Sequence, residues 1–420
     1  MNTPASGTSP AFAARIAETE TPLRGQVFRW LWYAQSLSLL LLTIMTFFPA
    51  WSHVQEYVFL SLFLTGCSAA YGEGRRIIVP SAMHLPIVLW LGWILLSVPY
   101  ALDPAYSFSE WRKIVVKVLW FYWVTLVLHH SEFEDMPRKV LMAVAVGSFL
   151  IAGYALLDFV QRGGTGSDRL IRARAPSSDY NWLSSYLVMS IPLAIVGLLS
   201  SSRRLTATLF GGVTMVTLLA QLLSYTRAGW LALLSQGLAA GIYLRRFVLI
   251  SGFLFALVIG VAFVTVIVRP PYHQDTQDTW TLEARLAVWS LMLHEIQQHP
   301  LMGIGYGTNT FMMRFGDRPE TTKAQGSHNL FLMTAMGSGV PAVTFLIWLF
   351  AVGIRECLHV ARRSTDPFTS ALGLAVALMI IGVMVRNLFD VMFLGSLACL
   401  FWLLLATGLA QARRVPPVTA

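Results

Sequence analysis

The sequence predicts an all-α polytopic membrane protein with about twelve transmembrane helices and one long external loop. Hydrophobic residues make up 56% of the 420 positions and charged residues only 12%. A soluble domain needs more charge than this on its surface. Apolar runs long enough to cross a bilayer also recur along the chain, and a helix is the element that satisfies its own backbone polar groups in lipid.

The apolar runs divide the chain into five predicted regions. These are a disordered cytoplasmic tail at 1–28, nine transmembrane helices in 29–268, a long external loop at 269–328, three more helices in 329–409 and a second cytoplasmic tail at 410–420. The twelve spans are expected near residues 30–48, 54–71, 84–101, 114–129, 139–160, 182–200, 205–223, 228–244, 247–268, 329–354, 368–385 and 388–409.

Arginine pairs in short loops predict which side of the membrane each loop faces. The pairs are Arg75-Arg76, Arg203-Arg204, Arg245-Arg246, Arg362-Arg363 and Arg413-Arg414. Under the positive-inside rule these loops are cytoplasmic, so the long loop lies outside. The net charge of +9 therefore indicates topology and lipid contacts, and nucleic acid is not an expected partner.

Two arginines, Arg174 and Arg227, are predicted to lie on the outer side, against this charge bias. Positive charge kept there suggests an anionic ligand. For Arg174 and its neighbours, pairing with Asp168, Asp179 or lipid headgroups is the alternative interpretation.

The long external loop contains a predicted amphipathic helix. Its apolar stripe, at helical spacing, consists of Leu282, Leu286, Trp289, Leu293 and Ile296. Arg285 lies at the edge of the stripe near the helix start, where a guanidinium and the helix dipole together suit an anion. A surface arginine paired with Glu283 is an equally weighted alternative. Gly303, Gly305 and Gly307 then predict a tight turn that directs the loop back to the membrane.

The loop ends at Ser327-His328-Asn329, just before another apolar run. Ser327 is the predicted N-cap, which places His328 and Asn329 in the first helical turn. The partial positive charge of a helix start disfavours imidazolium, so a neutral imidazole would be ready to accept a proton. The alternative is a histidine that only hydrogen-bonds water at the level of the lipid headgroups.

Three short motifs together resemble the O-antigen ligase family, a group of membrane glycosyltransferases of the bacterial envelope. They are Thr226-Arg-Ala-Gly-Trp-Leu231, the Ala284-Arg285 helix that runs into His299-Pro-Leu-Met-Gly-Ile-Gly305, and His328-Asn329 before an apolar helix. Each motif alone has moderate specificity, and their order, spacing and predicted topology carry the resemblance.

The resemblance implies a reaction on the periplasmic side of the inner membrane. A glycan on undecaprenyl pyrophosphate would be transferred to a sugar hydroxyl of the lipid A–core oligosaccharide. His328 would be the general base, and Arg227 and Arg285 would stabilise the pyrophosphate. The expected substrate-binding residues are Arg174, Asn181 and Asn329. No cofactor and no metal are expected, since Asp-x-Asp is absent from the external loops.

Several alternatives remain open at this point. A carboxylate nucleophile with retention would compete with inversion, and Asp158, Asp179 and Asp390 are the candidates. An O-antigen polymerase would use the same donor with a lipid-linked acceptor, and a protein O-oligosaccharyltransferase is less favoured. A transporter of the lipid-linked glycan would explain the basic residues without any chemistry.

Overall fold

The computed structural model describes residues 10–48, 52–133, 135–164, 171–176, 180–246, 251–252, 258–259, 283–318 and 328–410. Across these residues every regular element is a helix. The first eight helices are α1 (Pro10–Met45), α2 (Ser52–Gly72), α3 (His84–Ser97), α4 (Pro104–His130), α5 (Met136–Gln161), α6 (Tyr180–Ser200), α7 (Arg204–Leu223) and α8 (Arg227–Leu244). The next five are α9 (Glu283–Gln298), α10 (Thr310–Phe315), α11 (Leu330–Arg363), α12 (Pro367–Asn387) and α13 (Gly395–Ala410).

Six of the described helices are long and apolar enough to cross a membrane, which agrees with the predicted membrane class. They are Gly25–Met45 within α1, and α5, α6, α7, α11 and α12. Helix α13 and the stretch His84–Tyr100 are shorter apolar helices. The total of twelve spans stays a prediction, because the expected ninth span, at 247–268, falls almost wholly outside the described residues.

Two boundaries differ from the sequence expectation. Helix α1 begins at Pro10, whereas the sequence predicts a disordered tail as far as residue 28. The segment that follows Pro10 is rich in Ala, Arg and Glu, which are strong helix formers even without an apolar face. At the other end of the chain the last helix starts at Gly395, whereas the predicted span starts at 388. Residues 388–394 form a loop instead, and this loop contributes to the candidate site.

Long-range contacts gather several helix termini at one end of the bundle, here called the site end. The backbone N–H of Ala173 donates to the carbonyl of Leu223, the last residue of α7 (2.9 Å). Arg386, near the end of α12, donates to Asn181 near the start of α6 (3.2 Å). Gln221, near the end of α7, also donates to Ser184 on α6 (3.0 Å), so the start of α6 and the ends of α7 and α12 lie together.

The described arginine pairs lie at the other ends of their helices. Arg203-Arg204 is at the start of α7, Arg245-Arg246 at the end of α8 and Arg362-Arg363 at the end of α11, while Arg75-Arg76 follows α2. The pair Arg413-Arg414 lies outside the described residues. The positive-inside rule requires basic residues to gather at one end of the bundle, as these arginine pairs do. That this end faces the cytoplasm stays a prediction.

A break in α11 anchors the glycine-rich turn that follows α9. Pro341 has no N–H and cannot bond the carbonyl four residues earlier, that of Gly337. That carbonyl accepts from Gly305 N (2.8 Å), and Val340 N donates out of the helix to Pro300 O (2.7 Å). Gly339 lies at φ +83°, where an added Cβ would collide with a backbone carbonyl of the turn. The turn is thus held in the kink of the helix that follows His328.

The buried face of α9 differs from the predicted stripe. Leu286 and Leu293, expected to face inward, are 51% and 50% exposed, whereas Val288 and Met292 are 1% and 0% exposed. The helix packs against α11, and that contact selects the face carrying Val288 and Met292. Arg285 is three residues before Val288, so it lies on the same inward face of the helix. The sequence places it instead at the edge of the predicted apolar stripe. Leu282 lies outside the described residues.

Candidate functional site

Asn329, and not Ser327, is the N-cap of α11. Its backbone is extended (φ −153°, ψ 111°), and its side-chain Oδ1 accepts from the N–H groups of Phe331 and Leu332, both at 3.0 Å. An asparagine caps as well as a serine does, so the helix begins two residues later than a Ser327 cap requires. Ser327 itself lies outside the described residues.

His328 therefore stands before the helix and not within its first turn. Its φ is +44°, in the left-handed region where histidine is enriched among non-glycine residues. The side chain is 43% exposed, so the ring is accessible at the surface while its backbone is fixed by the cap that follows. An exposed, positioned imidazole of this kind is suited to proton transfer.

The imidazole of His328 faces the carboxylate of Asp390. Nδ1 lies 3.9 Å from Oδ1, and the Asp390 side chain is only 22% exposed. A second oxygen of the same carboxylate, Oδ2, accepts from the guanidinium of Arg386 at 3.0 Å. The carboxylate thus joins a surface histidine to an arginine beneath it.

Arg386 is a residue of this site that sequence reasoning missed. Its side chain is 1% exposed, and one guanidinium nitrogen donates to both the backbone O and the Oδ1 of Asn181, each at 3.2 Å. A charged residue inside an otherwise apolar run is itself a signal of function, and the spacing of four residues between Arg386 and Asp390 suits a helical ion pair. Those two signals together would have found it.

The pKa of Asp390 is set by these neighbours. Burial alone would raise this pKa. The imidazole of His328, the guanidinium of Arg386 and the N–H donated by Val391 lower it, and together they outweigh burial. Together they hold the pKa of the Asp390 carboxyl below its usual value. The carboxylate is therefore ionised at neutral pH, as an acceptor for an imidazole proton must be.

Arg174 is engaged with a carboxylate in the structure. Its Nε lies 3.3 Å from Asp158 Oδ2, and Arg162 contacts the same oxygen. The Arg174 side chain is still 52% exposed, so it remains accessible to a ligand. Its neighbour Ala173 is bonded to the end of α7, which brings the Arg174 segment to the site end.

Arg227 is the first residue of α8 and is exposed. Tyr225, in the turn before it, has φ +51°, and the turn leads directly from the end of α7. Gly229, two residues further on, lies so near Ser184 on α6 that an added Cβ would collide with its hydroxyl oxygen. Arg227 thus stands beside the start of α6, and no acid lies within ion-pair distance of it among the described residues.

Arg285 is half-buried on the inward face of α9. Like Arg227, it has no ion pair with an acid in the part of the chain that the structure describes. The acid proposed for it from the sequence, Glu283, has no described side chain.

The structure thus joins some of the predicted residues by contacts and places others nearby. His328 and Asn181 belong to one network through Asp390 and Arg386. Arg174 and Arg227 reach the same end of the bundle through backbone and packing contacts. No direct contact links the described side chains of Arg227, Arg285 and His328 to one another.

Within the described residues, no group of three or more His, Cys, Asp or Glu side chains is placed to hold a metal ion. The described cysteines, Cys67, Cys357 and Cys399, are all free thiols.

Comparison with known proteins gives one family. No curated protein matches the chain. Residues 212–347 match the family model described as O-antigen ligase. The matched segment contains Arg227, Arg285 and His328, and ends within α11. The chain therefore carries a domain of the O-antigen ligase family across residues 212–347.

Proposed function

We propose that this protein is an O-antigen ligase that acts on the periplasmic side of the bacterial inner membrane. It would transfer a glycan from undecaprenyl pyrophosphate to a sugar hydroxyl of the lipid A–core oligosaccharide. The observation that supports this most is that the exposed His328, inside the family segment, faces the half-buried Asp390. Transfer to a hydroxyl group requires a base that removes its proton, whereas movement of the glycan alone removes no proton from a hydroxyl.

His328 acts as the general base in this proposal. With Nδ1 turned to Asp390, Nε2 is left to accept the proton of the acceptor hydroxyl. The acceptor oxygen bonds to the anomeric carbon as the bond from that carbon to the pyrophosphate breaks, and the anomeric centre inverts. The separation of 3.9 Å exceeds hydrogen-bond length, as is common in catalytic pairs before substrate binds.

Arg227 and Arg285 bind the pyrophosphate leaving group. Guanidinium groups hold phosphate oxygens by two parallel hydrogen bonds and stabilise the negative charge that develops as the bond breaks. Both side chains lack an ion pair with a described acid, which leaves their charge available to a ligand. The mechanism needs no metal for this role.

Asp390 orients the base in this scheme and is not a nucleophile. Its two oxygens are directed to His328 and Arg386, so a third partner would have to displace one of them. Asp158 is engaged by Arg162 and Arg174, and Asp179 lies outside the described residues. This distribution of contacts favours inversion by His328 over retention through a carboxylate.

Arg174, Asn181 and Asn329 complete the proposed substrate-binding set. Arg174 would add a second guanidinium near the donor. Asn181 is placed at the site end by its contact with Arg386, and the Oδ1 of Asn329 is already used by the α11 cap, so the side-chain N–H group of Asn329 is the atom proposed to meet a sugar hydroxyl.

Reconstitution of the purified protein tests the function. Proteoliposomes would receive a lipid-linked glycan together with rough lipopolysaccharide, with His328→Gln protein as the matched control. Glycan on lipopolysaccharide is the expected result. A longer lipid-linked chain would instead identify a polymerase, and movement of the donor across the bilayer without transfer would identify a transporter.

A further inference from the structure

Trp93, on α3, bonds the broken helix α11 to the glycine-rich turn that follows α9. Its indole Nε1–H is directed at two backbone carbonyls, Ser338 O in α11 at 3.1 Å and Leu301 O in the turn at 3.2 Å. A tryptophan in the aromatic belt of a membrane protein directs its N–H to water or lipid headgroups. This one donates instead to two protein segments that lie 245 and 208 residues further along the chain.

The break in α11 leaves carbonyls that the helix itself no longer satisfies, and donors from outside the helix reach them in succession. The carbonyl of Met336 accepts from Ile304 N at 2.9 Å, and the carbonyl that follows it accepts from Gly305 N at 2.8 Å. Ser338 is next in the chain, and its carbonyl is the one that Trp93 reaches. The indole therefore continues, from a different helix, the row of hydrogen bonds that the turn begins.

Two further contacts join α3 to α11 on either side of the break. Ser97, one helical turn after Trp93, donates its hydroxyl proton to the hydroxyl of Ser338 at 2.9 Å, and both serines are fully buried. The indole ring of Trp93 also faces the ring of Phe345, with centroids 6.1 Å apart. Helix α3 thus contacts α11 both before and after Gly339.

The direction of the first half of α11 depends on this break. Gly339 has non-helical backbone angles (φ 83°, ψ 170°), so the half that covers residues 330–338 need not be collinear with the rest. His328 stands just beyond the far end of that half. Since 330–338 is about 12 Å long, a tilt of about 10° at the break would displace its far end by about 2 Å. His328 Nδ1 lies 3.9 Å from Asp390, and a shift of that size would separate the two side chains.

We propose that Trp93, assisted by Ser97, is a positioning residue that fixes the direction of the first half of α11 and thereby the place of His328. The indole N–H holds the break and the turn together, so the half-helix cannot tilt. The consequence for catalysis rests on the proposed function, in which His328 is the base, whereas the fixing of the half-helix does not. Misplacement of a reacting group by about 1 Å can lower a rate by about a hundredfold.

Hydrogen–deuterium exchange of the full-length protein in detergent tests whether Trp93 fixes the half-helix. Trp93→Phe keeps an aromatic ring but removes the N–H donor. Trp90→Phe is the matched control on the same helix, because the Nε1 of Trp90 has no hydrogen-bond partner among the described residues. Peptides that cover residues 300–305 and 336–340 report the hydrogen bonds between the turn and the break. Ser97→Ala removes one hydroxyl group and is a milder second variant.

Both peptides are expected to exchange about fivefold faster in Trp93→Phe than in wild type, the usual value of one hydrogen bond, and at the wild-type rate in Trp90→Phe. Ser97→Ala should show a smaller increase, confined to the 336–340 peptide. Unchanged exchange in Trp93→Phe, or an equal increase in Trp90→Phe, would overturn the proposal.

Transfer kinetics test the consequence for His328. In Trp93→Phe, kcat per folded molecule should fall about tenfold while KM for the lipid-linked donor stays within about threefold, because Arg227 holds the donor from a helix outside the break. A lower yield of folded protein with unchanged kcat per folded molecule would overturn the positioning role. If wild-type protein transferred no glycan, the proposed function would fail, while the exchange measurement would still decide whether Trp93 fixes the half-helix.

Discussion

His328 and Asp390 face each other across the site end of the bundle, with Nδ1 3.9 Å from Oδ1. The histidine precedes α11, and the aspartate lies in the loop between α12 and α13. The carboxylate is fixed from below by Arg386, which is 1% exposed. The aspartate that faces the surface imidazole is therefore itself held by a buried cation.

Removal of the base should abolish transfer. His328→Ala and His328→Gln should both lower turnover by roughly 100- to 10,000-fold, the usual contribution of a general base. Glutamine retains a hydrogen-bonding side chain but cannot take the proton. Donor binding should persist in both, since the arginines hold the pyrophosphate.

The measurement is single-turnover transfer from a lipid-linked glycan, alongside donor binding to the same preparations. His294→Gln, an exposed histidine on α9, is the matched control. Near-normal turnover of His328→Gln would show that the residue positions substrate and is not the base.

Loss of the Asp390 charge should lower the stability of the folded protein. Asp390→Asn keeps the shape of the side chain but leaves Arg386 buried without its carboxylate, a change that costs about 3–5 kcal/mol of unfolding free energy. Asp135→Asn, at an exposed ion pair, should cost less than about 1 kcal/mol. Denaturant unfolding of both variants in detergent compares the two.

The stabilisation by Asp390 should also depend on pH. Because the pKa of its carboxyl is lowered in the folded protein, its contribution is fully present above the ordinary value of 3.8 and is lost as the pH falls through the folded pKa. The stability difference between wild type and Asp390→Asn should therefore hold from pH 7 down to about 4 and shrink below it. A difference that vanished already between pH 6 and 7 would contradict the assignment.

Arg227 and Arg285 should each bind the pyrophosphate through two parallel hydrogen bonds, and their positive charge alone should not be enough. Arg227→Lys and Arg285→Lys keep the charge but lose the planar pair of donors, so each should lose much of the transfer activity. The alanine variants should cost about 2–4 kcal/mol of transition-state stabilisation, judged from kcat/KM. Arg355→Lys, at an exposed pair with Glu356, is the control. Normal activity of both lysine variants would mean that electrostatic attraction between a positive side chain and the pyrophosphate is enough.

Transfer should not require a divalent metal. The proposed charge stabilisers are arginines, so the initial rate in EDTA should match the rate in buffer alone. If magnesium or manganese restored activity that EDTA had removed, a metal would have to be the main charge stabiliser. The assay uses the reconstituted enzyme, with a known metal-dependent glycosyltransferase as a parallel control for chelation.

Cysteine labelling should show that the two ends of the helix bundle lie on opposite sides of the membrane. In a Cys67→Ser background, Ser201→Cys, beside an arginine pair, should react only with reagents that reach the cytoplasm. Gln277→Cys, in the long loop and outside the described residues, should react with an impermeant reagent added to intact spheroplasts. The reverse pattern would place the proposed site in the wrong compartment.

The candidate site was only partly predictable from the sequence. His328, Arg227 and Arg285 could be named because each residue type suits a chemical role and each lies beside a predicted helix boundary. Asp390 appeared as one of three possible carboxylates, and Arg386 was missed because it falls between the predicted spans 368–385 and 388–409, where a single basic residue is ordinary for a loop. The loop at 388–394 could not be seen in hydropathy, since Leu388, Val391 and Met392 are apolar on either side of the aspartate.

Hydropathy and helical periodicity are local properties, and by themselves they determined that this chain is helical, rich in membrane-length apolar segments and basic at one set of helix ends. Which carboxylate faces His328 was decided by tertiary structure alone, as was the inward face of α9. Those outcomes depend on how α6, α11 and α12 pack, through contacts between residues far apart in the chain, and no window of sequence contains both partners of such a contact.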